Sequence, residues 1–217
     1  MHFPAAGTMS RESQGPRIVG VTGGLGSGKT TVCNFLRQGR APVISADEIS
    51  HCLMRPGHPI YDRTVEAFGE KILNADGQLD RRVLGERVFS DEEARRCLNG
   101  ITHPAIVKEM RRQVSRATGR GAQVVVLDIP LLYEVGLEAM CDEVWVVWCR
   151  PEQQVRRVMQ REGLSKDEVN KRLEAQMPLD QKVQRADRVI DNSGSKASLV
   201  AHLEALWDQW TAEHGFV

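Results

Sequence analysis

Only one lysine stands in the first 70 residues, and it closes a glycine-rich string: Gly23-Gly24-Leu25-Gly26-Ser27-Gly28-Lys29-Thr30. The spacing is G-x-x-x-x-G-K-[ST]. Glycines let a chain curl until several backbone N–H groups face one anion. A helix starting there adds the partial positive charge of its N-terminus. The lysine would reach the β- and γ-phosphates of a nucleoside triphosphate such as ATP, and the Thr30 hydroxyl would be offered to Mg²⁺. Gly24, Leu25, Gly26, Ser27, Gly28, Lys29, Thr30 and Thr31 are therefore candidate nucleotide contacts. The dinucleotide fingerprint G-x-G-x-x-G is excluded, because counting from Gly24 its last glycine would fall on Lys29.

Two carboxylates follow apolar runs. Asp47 comes after Pro42-Val43-Ile44-Ser45-Ala46, and Asp128 ends Val124-Val125-Val126-Leu127. In a parallel sheet, ligands sit at the carboxyl ends of the strands. Asp47 could orient an acceptor hydroxyl or take its proton, or it could simply cap the helix that follows. Asp128 could hold Mg²⁺ or its water, or serve as a cap or turn residue. Arg156, Arg157, Arg161 and Arg172 form a basic, helix-patterned stretch, with Arg157 and Arg161 on one face. It reads either as a solvated face or as a lid that clamps the γ-phosphate and excludes water.

The elements that must position these groups alternate. Strands are predicted at Arg17–Thr22, Ala41–Ser45, Val124–Leu127, Val144–Cys149 and Arg188–Ile190, with a helix from Lys29 to Gln38 and another from about Ala46. Continuously apolar strands between helices predict a parallel five-stranded sheet covered on both faces, a three-layer α/β/α arrangement. No strand-like run lies between Ile60 and Gly119. Helices at Tyr61–Phe68, Arg81–Phe89, Asp91–Asn99 and Pro104–Ala117 predict an inserted acceptor-binding subdomain over about 55–120. A helical lid is expected over about 151–178, and a closing amphipathic helix over Ser195–His214. Residues 1–16 are small and polar, without signal-peptide features, and are expected to be a disordered extension.

Composition narrows the function. Lys+Arg and Asp+Glu are both 29, so no net field draws in nucleic acid or an anionic membrane. Neither is expected as a partner. Of the bases, 22 are Arg and 7 Lys, and arginine's planar fork suits phosphate. The 5 cysteines form no C-x-x-C pair and read as reduced thiols in a cytoplasmic protein. A guanine-reading N-K-x-D is missing, since Asn170-Lys171 continues as Arg172-Leu173. A motor would need a longer chain. A small-molecule kinase remains, either monomeric or weakly homo-oligomeric. A nucleotide-binding regulatory protein is the non-enzyme alternative, and a nucleoside or nucleoside monophosphate kinase the enzymatic one. Trp207 and Trp210 read equally as core or interface.

Over residues 17 to about 205 the chain resembles the dephospho-coenzyme A kinase family. The resemblance is carried by Val21 to Thr31, Val43-Ile44-Ser45-Ala46-Asp47, Arg55-Pro56-Gly57, His103-Pro104, Asp128-Ile129-Pro130-Leu131-Leu132-Tyr133-Glu134, then Gln154, Arg157, Arg161, Arg172, Gln176 and Ile190-Asp191-Asn192-Ser193-Gly194. It implies a P-loop kinase fold and transfer of the γ-phosphoryl of ATP, with Mg²⁺, to the ribose 3′-hydroxyl of dephospho-coenzyme A. It also implies that Asp47 is the base or hydroxyl-orienting group, Lys29 holds phosphate and Arg157 is a lid arginine on ATP, with Arg161 and Arg172 following it. Asn192 and Gly194 would lie near adenine. Arg81 and His103 would fall in the acceptor subdomain. The family usually carries aspartate where this chain has Ser45, which puts metal affinity in question.

Overall fold

A computed structural model describes residues 15–216. The expected disorder of the leading extension therefore falls, for residues 1–14, outside the described residues. Five strands form one sheet: β1 (Arg17–Gly23), β2 (Val43–Ser45), β3 (Val124–Asp128), β4 (Glu143–Trp148) and β5 (Arg188–Asp191). Their order is β2-β3-β1-β4-β5, with every pairing parallel. Burial on both faces explains the apolar runs. Val19, Val21, Val124, Val126, Trp145 and Val147 pack on one side with helices α1 (Lys29–Arg37) and α9 (Lys196–Glu213). Their alternates Val125, Leu127, Val144 and Val146 pack on the other with Ile49 of α2 (Ala46–Leu53) and Met110 of α5 (Glu92–Thr118). Trp210 is fully buried and Trp207 packs against it, so both belong to the core.

Register sets the site. Asp128 pairs with Val21 on one side and Ser45 on the other. The carboxyl ends of β1, β2 and β3 thus open onto one rim, and the glycine string, Asp47 and Asp128 follow from it.

Between β2 and β3, α3 (Pro59–Phe68), α4 (Arg81–Ser90) and the first half of α5 gather around their own apolar cluster, including Met54, Ile60, Phe68, Ile72, Leu84 and Ile101. The two helices expected around Pro104 are one 27-residue helix, with the proline inside it. A proline removes one helical hydrogen bond. Burial of Ile101 in this cluster and Met110 under the sheet holds the turns on both sides, so packing overrides the breaker. After β4 come α6 (Pro151–Glu162), α7 (Lys166–Glu174) and α8 (Leu179–Gln184). The last has only six residues and no clear periodicity, although Pro178 at its start marks it. No helix among the described residues is long and apolar enough to cross a membrane.

Candidate active site

The glycine string turns tightly between β1 and α1. Gly26 and Gly28 have φ of 78° and 92°, and Ser27 N–H closes the loop on the Gly24 carbonyl at 3.0 Å. Gly28 also lies so close to Asn192 that a Cβ would sit 2.0 Å from its Nδ2, so no side chain fits there. Gly28 is the N-cap of α1 and supplies no side-chain acceptor, and no acidic residue follows in the first turn. The first N–H groups of α1 remain available to an anion.

Lys29 points from this turn onto Asp128, and its ammonium bonds Asp128 Oδ1. Both side chains are mostly buried. Beneath them, burial pushes the Cys33 thiol up to about 12, with Asp128 adding to the shift. That cysteine is inert packing, as expected of a buried thiol. Among the described residues, which include all five cysteines, no disulfide forms.

A cavity of about 750 Å³ opens over the turn. Lys29 and Thr30 line its floor. Asp47 and Ser50 of α2 and Met54 just after it line one side, Asn99, Thr102 and His103 of α5 another, and Pro130 and Leu131 a third. Asp47 is not the cap of α2. Ser45 takes that role, its hydroxyl accepting from Glu48 N–H at 3.3 Å, and the Asp47 carboxylate is left to line the cavity. Partial loss of hydration raises its pKa, Lys29 opposes the rise and Asp128 adds to it. Burial lowers the pKa of His103, favouring the neutral ring. Arg81 lies apart from the cavity walls, at the end of α2, with Nη2 3.4 Å from the His51 carbonyl.

A second cavity, of about 250 Å³, lies on the other side of the turn, lined by Gly28, Thr31, Arg157, Asn192, Gly194 and Lys196. Arg157 donates to the carbonyls of Asn192 (2.9 Å) and Ser27 (3.4 Å), and Asn192 Nδ2 donates to Ser27 O at 2.7 Å. The residues expected near phosphate and near adenine are thus tied to one another. Arg161 lines the larger cavity and pairs with Glu162 at 2.5 Å; Arg172 pairs with the same carboxylate at 2.6 Å.

Two contacts had no assigned role from sequence. Gln154 Nε2 donates to Leu25 O at 2.9 Å, and Gln176 Oε1 accepts from Leu25 N–H at 3.2 Å. The segment after β4 therefore grips the turn at the two successive peptide groups that flank Leu25. Neutral side chains more than 120 residues away from the turn leave no charge or spacing signal. Their order within the family pattern is the one trace they leave.

The donors suit a small hard cation: a threonine hydroxyl and carboxylate oxygens beside a phosphate-sized turn. Among the described residues no group of three or more His, Cys, Asp or Glu could hold a metal unaided. An ion completed by nucleotide phosphates and water needs no such group.

Comparison with known proteins adds the decisive observation. The family model described as dephospho-CoA kinase matches residues 17–198. The chain belongs to the dephospho-CoA kinase family. A dephospho-CoA kinase of Carboxydothermus hydrogenoformans is 45% identical over 193 residues, covering 89% of this chain and 94% of that one. One from Symbiobacterium thermophilum is 49% identical over 191 residues, covering 88% and 80%. The solved dephospho-CoA kinase from Campylobacter jejuni superposes with a TM-score of 0.67 at 28% identity, covering 91% of this chain and 98% of that one. Within the dephospho-CoA kinase pattern, the serine at position 45 is accommodated here as a helix cap at 6% exposure.

Proposed function

We propose that this chain transfers the γ-phosphoryl group of ATP to the ribose 3′-hydroxyl of dephospho-coenzyme A, giving coenzyme A and ADP. The observation that carries the site assignment is the meeting of Lys29 and Asp47 in one cavity walled by the inserted helices.

The amides of Gly26, Gly28, Lys29 and Thr30 and the Lys29 ammonium cradle the triphosphate. Asp47 accepts a hydrogen bond from the acceptor hydroxyl and lines it up with the γ-phosphorus, taking its proton as the new P–O bond forms. In a loose transition state such positioning and charge stabilisation outweigh basicity. Asp47's raised pKa keeps it closer to a useful base than an ordinary aspartate. Arg157 steadies the cradle and the Asn192 loop, where adenine is received. Arg161 reaches the phosphates from the lid, which also keeps water from competing as acceptor. His103 offers a neutral donor or acceptor to the substrate.

Thr30 and Asp128 are the residues that would hold Mg²⁺. Bound there with the nucleotide, it would neutralise charge developing on the β- and γ-oxygens. An ATP donor goes with a cytoplasmic enzyme acting on small molecules.

The test is ADP release with ATP, Mg²⁺ and a panel of acceptors. Turnover with dephospho-coenzyme A and none with nucleosides, nucleoside monophosphates or shikimate is expected. Equal turnover across the panel would refute the acceptor assignment.

A further inference from the structure

Lys182, on the short helix α8, has no solvent exposure. Its Nζ lies 2.7 Å from Glu134 Oε1 and donates to the Pro130 carbonyl at 3.0 Å. Thr22 Oγ1, near the end of β1, donates to the same carbonyl at 2.9 Å. Glu134 Oε1 also accepts from Met177 N–H at 3.0 Å, and Met177 follows Gln176, which holds the phosphate turn. Three chain segments, the end of β1, residues 130–134 and residues 177–182, are therefore joined in one network around a buried ammonium.

Stability alone is a weak reason for this arrangement. Burying a lysine and a glutamate costs their hydration, and apolar replacements of a buried pair are often neutral or stabilising. What the pair fixes is more informative. Pro130 and Leu131 are a wall of the larger cavity, two and three residues beyond Asp128.

We propose that Lys182 is a positioning residue for the acceptor. Resting on the acceptor reading above, it fixes the Pro130 carbonyl and, through Glu134, ties the wall that receives dephospho-coenzyme A to the chain leaving the lid. Catalytic groups are sensitive to such supports, since a displacement of about 1 Å can cost ~10²-fold in rate.

The test is the double variant Lys182→Met/Glu134→Gln, which removes both charges and keeps an acceptor for Met177. Its circular dichroism and melting temperature should stay near wild type. Its KM for dephospho-coenzyme A should rise roughly 10-fold or more while its KM for ATP stays within about 3-fold, a split that general loosening of the fold does not produce. Unchanged KM values would overturn the role, as would a parallel loss in both substrates together with a lowered melting temperature. Should the double variant fail to fold, Thr22→Val removes the second donor to Pro130 alone. It should raise the acceptor KM about 3-fold, and no rise would overturn the proposal. Wild-type protein run in parallel separates the two levels. No wild-type turnover with dephospho-coenzyme A would refute the reaction and this role with it, whereas normal wild-type turnover with an unmoved acceptor KM in the variant refutes the positioning role alone.

Discussion

The ammonium of Lys29 is bonded to the carboxylate of Asp128, which is paired across the sheet with Ser45. One ion pair thus joins the phosphate turn to the carboxyl end of β3, and it aims the lysine along the rim where the cavity opens. In the proposed reaction a triphosphate entering the turn would share that lysine with Asp128, and the carboxylate would serve the metal that accompanies it.

Replacing Lys29 should therefore do two things. In Lys29→Met, turnover should fall by about 10³-fold or more, because charge on the transferring group loses its main counter-charge. The melting temperature should also fall, since Asp128 is left mostly buried without its partner. Steady-state kinetics and a thermal melt check both; a variant with near-normal turnover would remove Lys29 from the chemistry.

Asp47 joins activity and stability with opposite signs. Its folded pKa lies above the unfolded one, so the folded state prefers the protonated form. The associated stability is present below the unfolded pKa and is lost as pH rises through the folded pKa. At neutral pH the carboxylate therefore costs stability, and Asp47→Asn should melt at a higher temperature than wild type. The acid limb of the wild-type kcat/KM profile should lie above the ordinary aspartate range, and the variant should lack that limb.

Arg157 lines the smaller cavity and holds the carbonyls of Ser27 and Asn192 in place. Arg157→Ala should raise the KM for ATP and lower kcat together, by roughly 10-fold each or more, with the acceptor KM changed much less. Arg157→Lys should not rescue it, because an ammonium cannot bridge both carbonyls as the guanidinium does. An effect confined to the acceptor KM would contradict the assignment.

Ser45 offers a test of the metal side. Ser45→Ala removes the cap of α2 and should cost about 0.5–2 kcal/mol in a denaturant titration. Ser45→Asp can still cap, and it adds a carboxylate beside Asp128. It should lower the Mg²⁺ concentration needed for half-maximal turnover while destabilising the metal-free protein through like-charge repulsion. No change in Mg²⁺ dependence would separate this position from the metal.

Much of this architecture was readable from residue order because it is local. The strands announce themselves as apolar runs since both sheet faces are covered, and the phosphate turn follows from glycine and lysine spacing. What could not be read depends on distant partners. Pro104 reads as a break until Ile101 and Met110 are seen buried on either side of it. Asp47 and a helix cap are indistinguishable in sequence until Ser45 is found doing the capping. Gln154, Gln176 and the Lys182–Glu134 pair gain meaning only when segments from opposite ends of the chain converge on Leu25 and Pro130.

The central claim is that Asp47 aligns an alcohol with the end of a triphosphate gripped by the turn around Lys29. The most direct measurement follows phosphorus-31 signals during incubation of ATP, Mg²⁺ and dephospho-coenzyme A, with ATP affinity measured separately. Wild type should build up a 3′-phosphomonoester on the acceptor. Asp47→Asn should form it ~10²–10⁴-fold more slowly while binding ATP with unchanged affinity. Formation at the wild-type rate by the variant, or a loss traced wholly to ATP binding, would contradict the account.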